Sequence, residues 1–81
     1  MTVEVLFFAM LRDVTQHDLL KYDLRTECTV DELVHQLYAE YPGLNKYKKI
    51  VRFAVNGEYC DPSQILNDGD EIALIPPISG G

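Results

Sequence analysis

The sequence has few of the residues that support metal or thiol chemistry. It contains two cysteines and two histidines. Cys28 and Cys60 are too far apart to form a C-x-x-C motif, and neither His17 nor His35 has a second ligand at a metal-binding spacing. We therefore expect buried, reduced thiols and no metal site. A cysteine that carries a persulfide has no support in the sequence.

Long apolar runs and an excess of positive charge are also lacking. No window approaches the roughly 18 apolar residues of a membrane span, and no charged segment followed by an apolar one opens the chain. Lysine and arginine number 7 against 13 acidic residues, so the net charge is −6, which disfavours binding to nucleic acid. We expect a soluble, cytoplasmic protein with no membrane and no nucleic-acid partner.

One local cluster departs from this acidic balance. It consists of Lys46, Lys48, Lys49 and Arg52. Such a cluster is either a solvated surface or a contact for an acidic partner.

The first part of the chain reads as a hairpin. Residues 2–10 alternate as a strand does, residues 12–18 are polar and predict a turn, and residues 19–25 predict the returning strand. One face of the first strand carries Val3, Val5, Phe7 and Ala9. The other face carries Glu4, Leu6, Phe8 and Met10.

A helix with a clear beginning follows. Thr29 and Glu32 have the spacing of a capping box, and Cys28 and Leu33 have that of a hydrophobic staple. The helix ends at Pro42-Gly43. Its apolar side, at helical spacing, consists of Val30, Leu33, Val34, Leu37, Tyr38 and Tyr41.

The rest of the chain predicts three more strands. Residues 51–55 form a strand, Asn56-Gly57 is a strong two-residue hairpin signal, and residues 58–60 pair back briefly. Residues 71–75 form the last strand, with Ile72 and Leu74 on one face.

The segments between these strands are short. Residues 44–50 are ambiguous and are compatible with a short helical turn. We expect Ile65 and Leu66 to anchor the following loop in the core, and residues 67–70 to form a turn.

The order β-β-α-β-β-β with one helix predicts an α+β fold of the β-grasp or ubiquitin-like type. A single helix covers one face of a sheet, and we expect the first and last strands to lie parallel in the centre. The other face should then expose Phe8, Ala73 and Ile75, together with Leu6 and Met10. An apolar patch of this kind indicates a protein partner, and the alternative is a loop that folds over it.

The last six residues are Pro76-Pro77-Ile78-Ser79-Gly80-Gly81. Prolines favour an extended backbone, and glycines let a chain pass through a narrow slot. The segment is suited to inserting a carboxylate into another protein's active site, although a frayed end is the simpler alternative. We assign residues 1–76 to the β-grasp domain and residues 77–81 to a flexible tail.

Three motifs of the chain are Val5-Leu6-Phe7-Phe8-Ala9-x-Leu11-Arg12, Val55-Asn56, and Asp68-Gly69-Asp70-Glu71-Ile72-Ala73 running into the terminal segment. Together they resemble a known family, the MoaD-type sulfur carriers that form the small subunit of molybdopterin synthase. The first and last motifs are specific in combination, and the middle one is weak.

The resemblance implies a function in molybdenum cofactor biosynthesis. An E1-like enzyme would use MgATP to adenylate the Gly81 carboxylate, and sulfur would replace AMP to give a thiocarboxylate. The tail would then enter the large subunit of a heterotetramer and donate sulfur to cyclic pyranopterin monophosphate. The family's small subunit is not catalytic alone and holds no metal or cofactor.

The tail residues would then have distinct roles. The terminal carboxylate of Gly81 is the reacting group, and Gly80 gives access to the active site. Ser79 is a hydrogen-bonding group or a small spacer. Pro76 and Pro77 form the stiff base of the tail.

Four other residues are candidates for docking. Phe8 and Ile75 are the expected anchors, because aromatic and aliphatic side chains at a desolvated centre often dominate binding. Ala73 shares their face, and Arg12 could pair with a carboxylate of the partner.

Three other functions remain open from the sequence. A sulfur carrier of the thiamine type shares the fold and the Gly-Gly end, although it should be shorter and lack Pro-Pro. A ubiquitin-like modifier would be joined through Gly81 to a lysine of its target. An interaction domain would use neither the tail nor its carboxylate.

Overall fold

The computed structural model describes residues 1–77 of the chain. In sequence order the elements are β1 (Thr2–Phe7), α1 (Met10–Thr15), β2 (Leu19–Asp23), α2 (Val30–Glu40), a 3₁₀ helix (Pro42–Tyr47), β3 (Arg52–Val55), β4 (Glu58–Tyr59) and β5 (Glu71–Ile75). Over these residues, no helix combines the length and the hydropathy that crossing a membrane requires.

The five strands form one mixed sheet in the order β2-β1-β5-β3-β4. β1 and β5 are parallel neighbours at its centre, and the other pairs are antiparallel. The buried side chains of α2 and of one sheet face belong to a single core. This arrangement confirms the α+β, β-grasp fold, with the first and last strands side by side.

Strand alternation decides which side chains enter that core. On β1 the buried residues are Val3, Val5 and Phe7, and on β5 they are Ile72 and Leu74. Because successive strand residues point to opposite faces, the residues between them lie on the outer face, away from α2.

The beginning of α2 confirms the capping box. The Thr29 hydroxyl accepts a hydrogen bond from the Glu32 N–H at 3.2 Å, and the Glu32 carboxylate accepts one from the Thr29 N–H at 3.3 Å. Cys28 and Leu33, the predicted staple, are both buried. The chain then turns into the 3₁₀ helix that begins at Pro42, so residues 44–47 are helical as suggested.

The prediction for residues 8–18 is wrong in part. β1 ends at Phe7, Ala9 has φ 50° and is exposed, and Met10 begins α1. Ala9 is therefore not on the core face, and Met10 is not an outer residue of the sheet. The physical reason is the helical spacing of Leu11 and Thr15, which are both buried on one side of α1.

The expectation for the loop before β5 is half right. Leu66 is buried, but Ile65 is 52% exposed. Ile65 pairs with Thr29 in an isolated antiparallel bridge, and the Leu66 N–H donates to the Cys28 carbonyl at 2.8 Å. Successive residues of such an extended segment point in opposite directions, so only one of them can enter the core.

The hairpin between β3 and β4 confirms the Asn56-Gly57 signal. Both residues have positive φ, 51° and 86°, as a two-residue turn of this type requires. β5 ends at Ile75. The division into residues 1–76 and 77–81 stays a prediction.

Candidate functional site

A row of side chains crosses the outer face of the sheet in register. Leu6 of β1 lies opposite Leu19 of β2 and beside Ala73 of β5. Ala73 in turn lies opposite Ala54 of β3, which pairs with Tyr59 of β4. Residues that are directly opposite share a face, so one apolar row spans all five strands.

Two further apolar residues lie beyond this row along the strands, toward the C-terminal ends of β1 and β5. The parallel β1–β5 register ends at Phe7 and Leu74, and Phe8 and Ile75 are the residues that follow this last pair. Phe8 is 46% exposed, whereas the preceding Phe7 is 2% exposed. We call the row together with Phe8 and Ile75 the sheet patch.

The sheet patch leaves large apolar side chains in contact with solvent. Leu19 and Tyr59 are 39% and 64% exposed. Leu6, Ala73 and Ile75 are partly buried. Ala54, between Ala73 and Tyr59, is buried. Exposed apolar side chains on one face of a sheet are typical of a surface that binds another protein. Phe8, Ala73 and Ile75, the apolar docking candidates from the sequence, thus lie together.

Three residues of this surface were missed from the sequence. Leu19 and Tyr59 are brought into the row by strand register, and the Arg52 guanidinium lies 5.0 Å from the centre of the Tyr59 ring. Arg52 is also opposite Ile75. For Tyr59, the Asn56-Gly57 turn was a usable signal in the sequence. A two-residue hairpin loop fixes which residues of the two strands lie opposite each other.

β5 leads from the sheet patch into the first residues of the predicted tail. Ile75 is the last residue of β5, Pro76 is partly buried, and Pro77 is exposed. Ser79, Gly80 and Gly81 lie outside the described residues, so their roles stay predictions. The described chain therefore enters the predicted tail at the end of β5, directly after Ile75 of the sheet patch.

Arg12 lies in α1, next to the patch rather than in it. Its Nη1 atom is 3.3 Å from Oδ1 of Asp18, the residue before Leu19. Both side chains of this ion pair are exposed, so the pair contributes about 1 kcal/mol at most. Arg12 can exchange Asp18 for a partner's carboxylate at little cost, and its docking role stays a prediction.

The opposite end of the outer face is polar and charged. Glu4 pairs with Lys21 on one side and with Glu71 on the other. The Thr2 hydroxyl donates to Asp23 at 2.8 Å. The sheet patch is thus bounded by charged residues on the side away from the tail. The outer face therefore has an apolar end and a charged end.

The two cysteines are not activated. Burial raises the pKa of the Cys28 thiol, and the nearby Glu32 carboxylate raises it further. Burial and the charge of Asp61 raise the pKa of Cys60. Neither thiol has the lowered pKa of a reactive cysteine, which argues against a sulfur-carrying side chain. In the described part of the chain, no group of three His, Cys, Asp or Glu side chains could hold a metal ion.

Comparison with known proteins gives a consistent result over the whole length. A model described as the ThiS family matches residues 5–81. The molybdopterin synthase sulfur carrier subunit of Chlamydomonas reinhardtii is 39% identical over 83 residues, covering 100% of both chains.

Solved structures share the same fold. SAMP1 from Haloferax volcanii is 27% identical, with a TM-score of 0.85 over 99% of both chains. A chain in the complex of subunits 1 and 2 of molybdopterin-converting factor from Helicobacter pylori is 29% identical, with a TM-score of 0.73 over 100% of both chains.

Proposed function

The chain belongs to the ThiS family, and from this premise we propose that it is the sulfur-carrier subunit of a molybdopterin synthase. Its similarity to relatives of that name, over 100% of both chains in one case, supports this function. The Helicobacter pylori neighbour comes from a complex of two subunits, which supports a large-subunit partner for this chain.

One structural observation carries the proposal, namely the continuity of the sheet patch with the base of the tail. Ile75 belongs to the patch, and the chain passes from it directly into Pro76 and Pro77. A partner that covers the patch would hold the first tail residues in place. The Gly81 carboxylate would then be presented to that partner's active site with fewer backbone conformations to restrict.

The first chemical step activates the carboxylate of Gly81. A carboxylate at neutral pH is a poor acyl donor, so an E1-like enzyme would let it attack the α-phosphorus of MgATP. An acyl adenylate forms and pyrophosphate leaves. A sulfide equivalent then attacks the acyl carbon and AMP leaves, so that Gly81 carries a thiocarboxylate.

The second step transfers the sulfur in the large subunit. The sulfur of the ionised thiocarboxylate would attack a carbon of cyclic pyranopterin monophosphate that bears oxygen. The carbon–oxygen bond breaks, the oxygen leaves, and a thioester then links Gly81 to the substrate. Water then cleaves the acyl–sulfur bond, which leaves sulfur on the substrate and returns Gly81 to its carboxylate form. Because each carrier brings one sulfur, two loaded carriers are used for each dithiolene.

The remaining tail residues would let the tail reach the large subunit's active site, and they would not take part in the reaction. None of the side chains from Pro76 to Gly80 is titratable, so the large subunit has to supply the acid and base groups. Gly80 allows passage through a narrow channel, and Ser79 is a small spacer with one hydroxyl. Two carriers on a dimer of large subunits would form the proposed heterotetramer.

A second candidate is a ubiquitin-like protein modifier. The structural similarity to SAMP1, a small archaeal modifier protein, favours it. Both functions begin with the same adenylate of Gly81. They differ in whether sulfide or a lysine amine attacks, and the product would be an isopeptide bond in the second case.

Intact-mass analysis of the protein isolated from its own cells separates the two functions. We expect a fraction of molecules in which one oxygen is replaced by sulfur. One alanine added after Gly81 should abolish this form and the synthase activity, because the acyl group is displaced from the site of attack. Folding and binding to the large subunit should stay unchanged.

The control is Gln64→Ala, which changes an exposed loop side chain and should keep both the thiocarboxylate and the activity. Retained activity in the extended chain would exclude the terminal carboxylate as the reacting group. Covalent adducts to other proteins without any sulfur-containing form would favour the modifier.

A further inference from the structure

A groove lies on the side of the sheet that α2 covers, opposite the sheet patch. It has a volume of about 390 Å³ and runs between α2 and the segment that follows the 3₁₀ helix. Its apolar lining comes from Val34 and Tyr38 of α2 and from Phe53 of β3. Phe53 pairs with the buried Leu74, so it points to the core side of the sheet.

The rim of this groove is basic on one side. Lys48 and Lys49 contribute to the lining, and both are exposed. Within residues 1–77 neither forms an ion pair. Two exposed ammonium groups beside an apolar floor are notable in a chain whose net charge is −6.

The structure divides the basic cluster seen in the sequence. The Lys46 ammonium lies 5.5 Å from the centre of the Tyr47 ring, and the Arg52 guanidinium lies 5.0 Å from that of Tyr59, on the outer face of the sheet. Lys48 and Lys49 therefore form a separate pair that belongs to the groove.

We propose that this groove binds an acidic segment of a partner protein. One apolar or aromatic side chain of that segment lies on the floor formed by Val34, Tyr38 and Phe53. Carboxylates on either side of it pair with Lys48 and Lys49. The volume is within the range of pockets that enclose a small ligand or a large side chain.

Charge complementarity selects this occupant over others. A free carboxylate would meet only exposed lysines, whose pairing with it is weak in water. A nucleic acid would be repelled by the other charges of an acidic chain. A peptide segment combines burial of an apolar side chain with charge pairing at the rim, so it uses both features of the groove.

One rim residue has the opposite charge, and it should fix the orientation of the bound segment. Asp31 lines the groove at the beginning of α2, and its Oδ1 is 3.8 Å from Nδ1 of the exposed His35. The carboxylates of the bound segment should therefore lie toward Lys48 and Lys49 and away from Asp31.

The groove and the sheet patch are on opposite sides of the sheet. A partner held in the groove would leave the sheet patch, including Phe8 and Ile75, accessible. The same chain could then be retained by one protein while another uses its C-terminus. This inference concerns binding alone and does not depend on the sulfur-carrier function.

The test is an NMR titration of the full, ¹⁵N-labelled chain with the blocked peptide Glu-Glu-Phe-Glu-Glu. We expect saturable shifts at Val34, Tyr38, Lys49 and Phe53, which decrease as salt is added. The double variant Lys48→Glu, Lys49→Glu should weaken binding about tenfold or more, because like charges then oppose the peptide. Asp31→Asn should strengthen it by roughly twofold, since a repulsive charge is removed.

Two controls keep the result specific. Lys21→Glu makes the same kind of charge change on the outer face, and it should leave the affinity nearly unchanged. The peptide Glu-Glu-Gly-Glu-Glu should bind more weakly because it lacks the apolar anchor. The proposal is overturned by shifts that do not saturate, by shifts confined to the sheet patch, or by equal losses in Lys21→Glu and in the double variant.

Discussion

At the scale of single residues, two tyrosines differ in whether their hydroxyl has a hydrogen-bond partner in the described part of the chain. The Tyr22 hydroxyl donates to Oε2 of Glu40 at 2.9 Å. Burial, followed by this contact with Glu40, raises the pKa of Tyr22. The Tyr38 hydroxyl is shielded from solvent and has no hydrogen-bond partner among residues 1–77, and burial raises its pKa as well.

We expect the free energy of unfolding to respond differently when each of the two hydroxyls is removed. Tyr22→Phe should lower the free energy of unfolding by about 1 kcal/mol, the net contribution of a typical hydrogen bond. Tyr38→Phe should leave it unchanged or raise it by up to about 1 kcal/mol, because an unpaired polar group is no longer buried. Urea unfolding at neutral pH measures both. An equal loss in Tyr38→Phe would mean that its hydroxyl has a partner in solution.

At the scale of elements, the beginning of α2 combines a hydrogen-bonded cap with an ion pair. The Glu32 carboxylate contacts the Arg25 guanidinium and accepts a hydrogen bond from the Thr29 N–H. The contact with Arg25, followed by that with Thr29, lowers the pKa of Glu32. A lowered pKa in the folded state means that the charged carboxylate stabilises the fold.

This lowered pKa makes the stability that Glu32 contributes depend on pH. The stabilisation is present above the ordinary pKa of a glutamate and is lost as the pH falls through the lowered value. Glu32→Gln should therefore lower the melting temperature at neutral pH, and the difference from the unmodified chain should shrink under acid conditions.

Glu58→Gln is the matched control, since Glu58 is exposed and has no ion-pair partner over residues 1–77. Thermal melts of the three proteins from neutral to acid pH would measure the effect. A difference for Glu32→Gln that stays constant over this range would contradict an electrostatic origin.

At the scale of the whole molecule, the last residue of β1 and the residue that follows it lie in opposite environments. Phe7 is almost fully buried in the core that α2 shares, and Phe8 is exposed. Phe8 and Ile75 follow the last pair of the β1–β5 register. The two faces of the sheet thus have different roles, one in stability and one in binding. Its inner face holds the fold together, and its outer face is available to a partner.

Alanine at each position should separate these two properties. Phe7→Ala should lower the free energy of unfolding by about 3–5 kcal/mol, because it leaves a cavity in the core. Phe8→Ala should change stability little and weaken binding to the proposed large subunit by about 1–3 kcal/mol. Urea unfolding and isothermal titration calorimetry measure the two effects. An unchanged dissociation constant for Phe8→Ala would remove Phe8 from the interface.

The elements whose signals are local could be predicted from the sequence. The capping box at Thr29, the turn at Asn56-Gly57 and the alternation of β1 and β5 each depend on a few neighbouring residues. The resemblance to sulfur carriers likewise rested on short motifs. These features predicted the β-grasp fold, the inner face of the sheet and the apolar docking candidates.

Tertiary structure decided the features that depend on distant contacts. A six-residue helix such as α1 is unstable by itself and exists because Leu11 packs in the core, so the sequence around it was read as a strand and a turn. Leu19 and Tyr59 joined the sheet patch through strand register, which is set between segments far apart in the chain. Lys48 and Lys49 likewise became the rim of a groove because α2 packs beside the segment that carries them.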